Sequence, residues 1–232
     1  MDKLMYESMY TIVPNICFPI ISIGFSKSDI PDVNPVGSAF LIDSMGTFVT
    51  VGHNFNRTSV AKFGALNFTD FREIELSHIE YDRDLGIDLA IGKLCGYKSN
   101  AHMPKLCSAK NLGIGTKLWL CGYKSFLVDG ADEISVHKYG NGLTLHKQRI
   151  KKEVIEIPKN DFALIQRMKE CNGSALPFES NSEGDKLKGY SGGPVYIGPN
   201  IYGVIVSHYF ITSDYIVARL PYGRELDTEV SL

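Results

Sequence analysis

The feature that most limits the fold of this chain is a series of short apolar or alternating segments separated by Gly, Pro, Asn and Asp. Such segments are typical of antiparallel strands in a barrel or sandwich, and no long stretch has a convincing helical period apart from residues 161–171. We therefore predict an all-β protein. The predicted strands are Ile20–Phe25, Gly37–Ile42, Thr47–Val51, Leu89–Leu94, Lys117–Gly122, Val154–Ile157, Val195–Ile197, Tyr202–Ser207 and Tyr215–Leu220.

The balance of residue types indicates an ordinary globular protein. Of 232 residues, 44% are apolar and 22% charged, which is enough apolar material for a substantial core. The formal net charge of −2 gives little attraction for nucleic acid or anionic lipid. The basic run at residues 146–152 is interpreted as a solvated strand or loop, so no nucleic acid is expected among the partners.

The N-terminal region and the cysteines bear on location. Residues 1–25 carry Asp2 and Glu7 near the start, and Pro14 and Pro19 interrupt the apolar stretch, unlike an export signal. No segment reaches the roughly 18 apolar residues of a membrane span. We expect a cytoplasmic protein that binds no membrane.

The cysteines are odd in number and lack CxxC or metal-ligand spacing, so we expect reduced, mostly buried thiols, namely Cys17, Cys95, Cys107, Cys121 and Cys171.

The segment Gly189–Pro194, of sequence GYSGGP, is the strongest candidate for chemistry. It leads directly into the apolar strand predicted at Val195–Ile197. A nucleophilic serine needs an exposed hydroxyl on a tight turn, and flanking glycines allow backbone N–H groups to point at a substrate carbonyl. Ser191 is therefore a candidate nucleophile.

This segment resembles the serine motif of trypsin- and chymotrypsin-like peptidases, a family that includes the HtrA-type proteases. Two further stretches resemble the family in its own order. Phe48–His53 is similar to the strand that runs into the catalytic histidine, and Asp88–Ile91 to the catalytic aspartate and the strand after it. The order His, Asp, Ser separates this family from subtilisins and α/β-hydrolases.

The resemblance implies two six-stranded antiparallel β-barrels, with the active site between them. We expect residues 1–112 to form the first barrel, with His53 and Asp88, and residues 113–232 the second, with Ser191. It implies that Ser191 attacks a peptide carbonyl, that His53 transfers the proton and that Asp88 orients His53. The N–H groups of Gly189 and Ser191 would form the oxyanion hole, without metal or cofactor.

Several residues offer alternatives or depart from the family. Asp82 and Asp84 are the other candidates for the catalytic aspartate, but neither is followed by an apolar strand. Secreted relatives carry an aspartate at the position of Tyr190, where it pairs with a newly cut N-terminus; activation by such cleavage is therefore not expected. The usual cysteine after the histidine is also absent, since Asn54 follows His53.

The specificity residues are left open between two interpretations. Asp185 stands six residues before Ser191, where a carboxylate would favour Arg or Lys at the P1 position of the substrate. The strand predicted at Tyr202–Ser207 resembles the one that pairs with substrate, which makes Ser207, His208 and Tyr209 candidates for the pocket wall. His208 would instead favour Gln or Glu.

The function expected from these residues is limited proteolysis of a protein or peptide substrate by a serine endopeptidase, with room for an activating or regulatory partner protein. The alternative is a gated or non-catalytic module of the same fold, which would dock peptides by strand addition along Tyr202–Ser207.

Overall fold

The computed structural model describes residues 13–25, 31–55, 62–67, 70–82, 86–100, 102–123, 136–139, 142–145, 151–157, 174–180 and 189–220. These residues form mostly antiparallel β-structure. In chain order the strands are β1 (Cys17–Phe25), β2 (Pro31–Leu41), β3 (Thr47–Thr50), β4 (Lys62–Asn67), β5 (Asp70–Asp82), β6 (Ile87–Leu94), β7 (Lys105–Leu106), β8 (Lys117–Gly122), β9 (Val136–Tyr139), β10 (Gly142–Leu145), β11 (Lys151–Glu156), β12 (Ala175–Pro177), β13 (Glu179–Ser180), β14 (Pro194–Ile197), β15 (Asn200–Ile205) and β16 (Tyr209–Thr212). Short 3₁₀ turns lie at Gly52–Phe55 and Ala109–Asn111, and helix α1 spans Ser213–Val217.

The first sheet is a closed barrel in the order β1-β2-β3-β6-β5-β4. All of its neighbouring strands pair antiparallel. Closure leaves no free edge among these strands, so the register of each strand is fixed from both sides. The pairing of Thr50 on β3 with Ala90 on β6 places the residues that follow β3 beside Asp88.

The second sheet runs in the order β12-β16-β15-β14-β8-β11-β13. Only Phe178 separates β12 from β13, so Ala175–Ser180 is one bent segment. This segment pairs with β16 through β12 and with β11 through β13. The sheet therefore curls back on itself through six strand positions, as a second barrel requires.

Together the two sheets form the predicted chymotrypsin-like double barrel, and the all-β prediction is confirmed. β7 is an addition, since it pairs in parallel with β15 although it precedes the predicted boundary at residue 112. The division at that boundary stays a prediction. β9 and β10 form a separate two-stranded sheet.

The strand predicted at Tyr215–Leu220 was wrong, because this segment begins inside helix α1. Thr212 caps the helix by accepting a hydrogen bond from the Tyr215 N–H, and Asp214 lies in the first turn. Ile216 in the helix and Leu220, three residues beyond its end, are both buried. The candidate helix at residues 161–171 lies outside the described residues.

The core extends continuously between the barrels. One cluster contains β1, β2 and β3 side chains together with Cys121, Tyr196 and Val204 of the second sheet, so the barrels pack directly on each other. Cys17, Cys107 and Cys121 are buried free thiols as predicted, whereas Cys95 is exposed and Cys171 lies outside the described residues. Burial raises the pKa of the Cys17 thiol, which is consistent with an unreactive core residue.

Candidate active site

His53 and Asp88 are joined at two points. The Asp88 carboxylate accepts a hydrogen bond of 2.9 Å from the His53 backbone N–H through Oδ1, and its Oδ2 contacts the His53 ring at Nδ1. Asp88 is 4% exposed. An ionised carboxylate only accepts hydrogen bonds, so Nδ1 carries the hydrogen and Nε2 of the neutral ring is left as an acceptor. This is the tautomer that a general base requires.

The local sequence explains why these two residues meet. β3 ends at Thr50, and the 3₁₀ turn Gly52–Phe55 then folds the chain back over β5 and β6. A Cβ on Gly52 would lie 3.1 Å from Asp88 Oδ1 and 3.3 Å from the Glu80 carbonyl oxygen. A small residue is therefore needed before His53, as the family resemblance implied.

Ser191 lies in the turn that precedes β14. Gly189 and Gly192 have φ values of 91° and 87°, a backbone region that favours glycine. The Gly193 N–H donates to the Tyr190 carbonyl and closes the turn. Within the described part of the chain, the N–H groups of Gly189 and Ser191 donate to no acceptor, so both are free to bind a ligand oxygen.

The Ser191 hydroxyl does not bond to His53. It donates instead to the Val206 carbonyl oxygen at 2.9 Å, just after the end of β15. The structure thus brings His53 and Asp88 together and holds the serine hydroxyl on another acceptor. His53 Nε2 has no hydrogen-bond partner among the described residues.

The serine turn nevertheless packs closely against the strand that leads to His53. A Cβ on Gly192 would lie 1.9 Å from the Ser38 carbonyl oxygen and 2.2 Å from Thr50 Oγ1, so the backbone at Gly192 touches β2 and β3. Thr50 is three residues before His53. Glycine at position 192 is therefore a packing requirement between the two barrels, in addition to its role in the turn.

The residues predicted to line the specificity pocket occupy a tight turn. Ser207 and His208 are exposed between β15 and β16, and the Val206 N–H donates to the Tyr209 carbonyl at 3.0 Å. Tyr209 is half-buried and faces the turn before Asp88, since a Cβ on Gly86 would lie 3.9 Å from Tyr209 Oη. Asp185 and Asp84 lie outside the described residues.

The peptide-docking edge predicted along Tyr202–Ser207 is not free where β15 is paired on both sides. Gly203 and Val204 pair with β14 on one side and with β16 on the other. Strand addition at these two residues is thereby blocked. The physical reason is that the short hairpin turn returns β16 along the edge that a substrate would need.

Tyr190, the residue that replaces the family aspartate, is 5% exposed and packs in the core of the second barrel. Sequence reasoning missed Ser38, which contacts the serine turn from the first barrel, and Thr50, which binds Ser38. Both lie in predicted strands, but nothing in their local sequence shows which distant segment they contact.

The described ranges hold neither a cluster of metal ligands nor a helix able to cross a membrane. Within these ranges, no group of three or more His, Cys, Asp or Glu side chains is arranged to hold a metal ion. None of the helices there combines the length and apolar character that crossing a bilayer demands.

The geometry defines a fold class. The chain has the trypsin-like serine protease fold, and solved structures agree over nearly the whole length. It is similar to Deg5, with a TM-score of 0.58, 16% identity and 96% of each chain covered. It is also similar to the Rv3671c protease in an inactive form, with a TM-score of 0.53, 14% identity and 94% of each chain covered. No family model and no curated protein matches the sequence.

Proposed function

We propose that this protein is a serine endopeptidase in which Ser191 is the nucleophile, His53 the general base and Asp88 the residue that orients His53. The observation that carries the proposal is the two-point contact between Asp88 and His53, which fixes the ring and leaves Nε2 as an acceptor. A buried aspartate in this arrangement favours the useful tautomer and stabilises the imidazolium that forms during reaction.

The Ser191 hydroxyl has to exchange its hydrogen-bond acceptor, the Val206 carbonyl, for His53 before it can react. Rotation about the Cα–Cβ bond of Ser191 would release the Val206 carbonyl and turn the hydroxyl toward His53. Neutral hydrogen bonds contribute about 0.5–1.5 kcal/mol net, so substrate binding is sufficient to offset the loss. The resting serine is thus held by a weak and reversible contact.

The chemical steps follow the acyl-enzyme route. Ser191 Oγ attacks the substrate carbonyl carbon while its proton passes to His53 Nε2, and the carbonyl oxygen becomes an oxyanion. The N–H groups of Gly189 and Ser191 bind this oxyanion. His53 then protonates the leaving amine as the C–N bond breaks, and water hydrolyses the acyl-enzyme with His53 again as base.

The substrate is a protein or peptide, and the structure leaves its side-chain preference open. Asp185 supports cleavage after Arg or Lys, whereas His208 supports Gln or Glu. Peptides that differ only at P1 among these four residues, tested on Asp185→Asn and His208→Ala, separate the two interpretations. If Asp185 binds P1, Asp185→Asn lowers kcat/KM for Arg and Lys peptides selectively.

The biological role that follows is limited cleavage of a specific partner protein in the cytoplasm, with activity open to control by a second protein. This role rests on the family resemblance and on the serine hydroxyl being turned away from His53. It requires no metal or organic cofactor.

The first experiment is labelling of the full chain with a fluorophosphonate probe, which reports an activated serine without knowledge of the substrate. The wild type should be labelled, and Ser191→Ala and His53→Ala should not. Ser44→Ala, which changes a serine in the turn after β2, is the control and should label normally. Labelling that survives Ser191→Ala in folded protein would refute the assignment.

The contact between Ser191 and Val206 supports a second candidate, a gated module on the same fold that binds peptides without cleaving them. Folded wild type that resists the probe but binds peptides in a titration would favour this function. Labelling that begins only when a partner protein is added would indicate a gated peptidase.

A further inference from the structure

We propose that Ser38 is a positioning residue that holds the oxyanion-binding turn in its reactive shape through its side-chain hydroxyl. Ser38 lies on β2 of the first barrel and is fully buried. The inference rests on the proposed function, because it assigns a role within the same site.

Ser38 contacts both ends of the turn that carries Ser191. Its Oγ donates to the Gly189 carbonyl at 2.9 Å, and its backbone N–H donates to the Ser191 carbonyl at 2.8 Å. These bonds fix the peptide groups that follow Gly189 and Ser191, and these two groups flank the peptide group between Tyr190 and Ser191. The Ser191 N–H, which belongs to that flanked peptide group, therefore points in a direction that is set from the other barrel.

The hydroxyl of Ser38 also has a third partner. It accepts a hydrogen bond of 2.8 Å from the Tyr123 N–H, just beyond β8. With one donor and one acceptor satisfied, the hydroxyl has a single favourable orientation in a site without exposed surface. Gly122 is compatible with this arrangement because a Cβ there would lie 2.8 Å from Ser38 Oγ.

The carbonyl of Ser38 links the turn to the histidine side of the site. It accepts a hydrogen bond of 2.7 Å from Thr50 Oγ1, and Thr50 in turn accepts one of 3.0 Å from Asn54 Nδ2. Thr50 and Asn54 lie on either side of His53 in sequence. A single buried residue thus sets the distance between the serine turn and the segment that carries His53.

The hydroxyl is the part of Ser38 that a substitution can remove without touching the backbone. Ser38→Ala keeps the N–H bond to Ser191 and the carbonyl bond to Thr50, but removes the hydrogen bonds that the hydroxyl makes with the Gly189 carbonyl and the Tyr123 N–H. A misplacement of about 1 Å in a catalytic group costs on the order of 100-fold in rate. We expect the rate constant for fluorophosphonate labelling to fall about 10- to 100-fold.

Ser213→Ala is the matched control. Ser213 is also fully buried, and its hydroxyl donates to the Cys107 carbonyl, away from the serine turn. It should also lose stability, because a buried hydrogen bond is removed, while the labelling rate changes less than about threefold. If both variants slow labelling equally after correction for the folded fraction, Ser38 has only a structural role and the proposal is wrong.

A second measurement does not depend on activity. In ¹H–¹⁵N spectra, the amide signals of Gly189, Tyr190 and Ser191 should shift in Ser38→Ala and stay in place in Ser213→Ala. Unchanged signals in Ser38→Ala would overturn the proposal. If the signals shift in Ser38→Ala but the probe does not label the wild type, the positioning role of Ser38 is supported. That result counts against the peptidase function instead.

Ser38→Cys covers the case in which Ser38→Ala does not fold. The thiol fills the space of the hydroxyl and is a weaker hydrogen-bonding group. The same amide signals should shift and labelling should slow in the same direction. Wild-type behaviour in both measurements would contradict the inference.

Discussion

The two sides of the candidate site are built differently. His53 and Asp88 belong to the first barrel and are hydrogen-bonded to each other. Ser191 belongs to the second barrel, and its hydroxyl donates a hydrogen bond to the Val206 carbonyl of that same barrel. The first contact follows from the pairing of β3 with β6 in a closed sheet. Contact of the serine with the histidine instead depends on how two barrels pack.

This difference indicates where the site is rigid and where it is adjustable. Register within a closed barrel cannot slip without breaking a whole ladder of hydrogen bonds, so the Asp88–His53 geometry is fixed by the strand pairing. The serine hydroxyl can exchange one acceptor for another by a single bond rotation. Control of the proposed activity is therefore expected on the serine side.

The largest loss of activity should come from a substitution that breaks the contact between Asp88 and His53. Asp88→Asn keeps the oxygen that accepts from the His53 backbone but puts an NH₂ group opposite Nδ1, which favours the wrong ring tautomer. We expect kcat/KM to fall by about 10⁴, as replacement of the orienting aspartate does in such sites. The measurement is steady-state hydrolysis of a peptide identified by a P1 scan.

Asp214→Asn is the control for Asp88→Asn. Asp214 also accepts one side-chain and one backbone hydrogen bond, from Ser108 Oγ and the Ala109 N–H, both at 2.8 Å. Its substitution should change kcat/KM only a few-fold. Equal losses in the two variants would show that general destabilisation, rather than the His53 tautomer, explains the result.

The next effect concerns the packing between the two sides. Gly192→Ala would force a Cβ to within 1.9 Å of the Ser38 carbonyl oxygen at a φ of +87°. Overpacking and backbone strain together should lower the free energy of unfolding by about 3 kcal/mol or more. Urea unfolding followed by Trp119 fluorescence measures this change.

Gly198→Ala separates strain from packing. Gly198 has a φ of +56°, and a Cβ there would meet nothing within 4 Å. Only the backbone cost of about 1 kcal/mol is expected. If Gly192→Ala is no more destabilising than Gly198→Ala, the close approach of the barrels at the serine turn is not as tight as described.

The smallest expected loss of stability concerns the polar contacts between the region of helix α1 and the first barrel. Glu80 on β5 accepts hydrogen bonds from Arg219 and, at 2.6 Å, from Tyr215 Oη, and Arg219 lies over the Tyr215 ring. The hydrogen bond from Arg219 is the main cause that lowers the pKa of Glu80 from 4.5 to about 2. Because Glu80 is partly exposed, Glu80→Gln should cost only about 1 kcal/mol at neutral pH.

The pH dependence of this cost has a definite sign. A carboxyl group with a lowered pKa in the folded state stabilises the protein fully above pH 4.5, and that contribution is lost as the pH falls through about 2. The difference in unfolding free energy between wild type and Glu80→Gln should shrink over this range. Glu179→Gln, at an exposed position, is the control and should unfold with nearly the free energy of wild type. A difference between wild type and Glu80→Gln that persists at pH 2 would show that the ionised Glu80 carboxylate is not its cause.

Much of the fold could be predicted from the sequence because strands have a local signature. The β8 prediction agreed at both ends, and those for β1, β2, β3, β6, β11, β14 and β15 overlapped the observed strands. β5, which carries exposed Glu73 and Glu75 but also exposed apolar residues, was missed. The helix at Ser213–Val217 was mistaken for a strand, although Thr212 and Asp214 are typical helix-start residues.

The sequence alone determined the residue types, their order and the turn at Gly189–Pro194, because glycine requirements and strand patterns act over a few residues. Only the tertiary structure decided which acceptor the Ser191 hydroxyl has, that β15 is covered on both sides at Gly203, and that Ser38 binds Gly189 across 151 residues of sequence. The reason is physical: the first two contacts join separate segments of the second barrel and the third joins the two barrels, so all of them depend on how segments pack in three dimensions, and no local pattern records that packing.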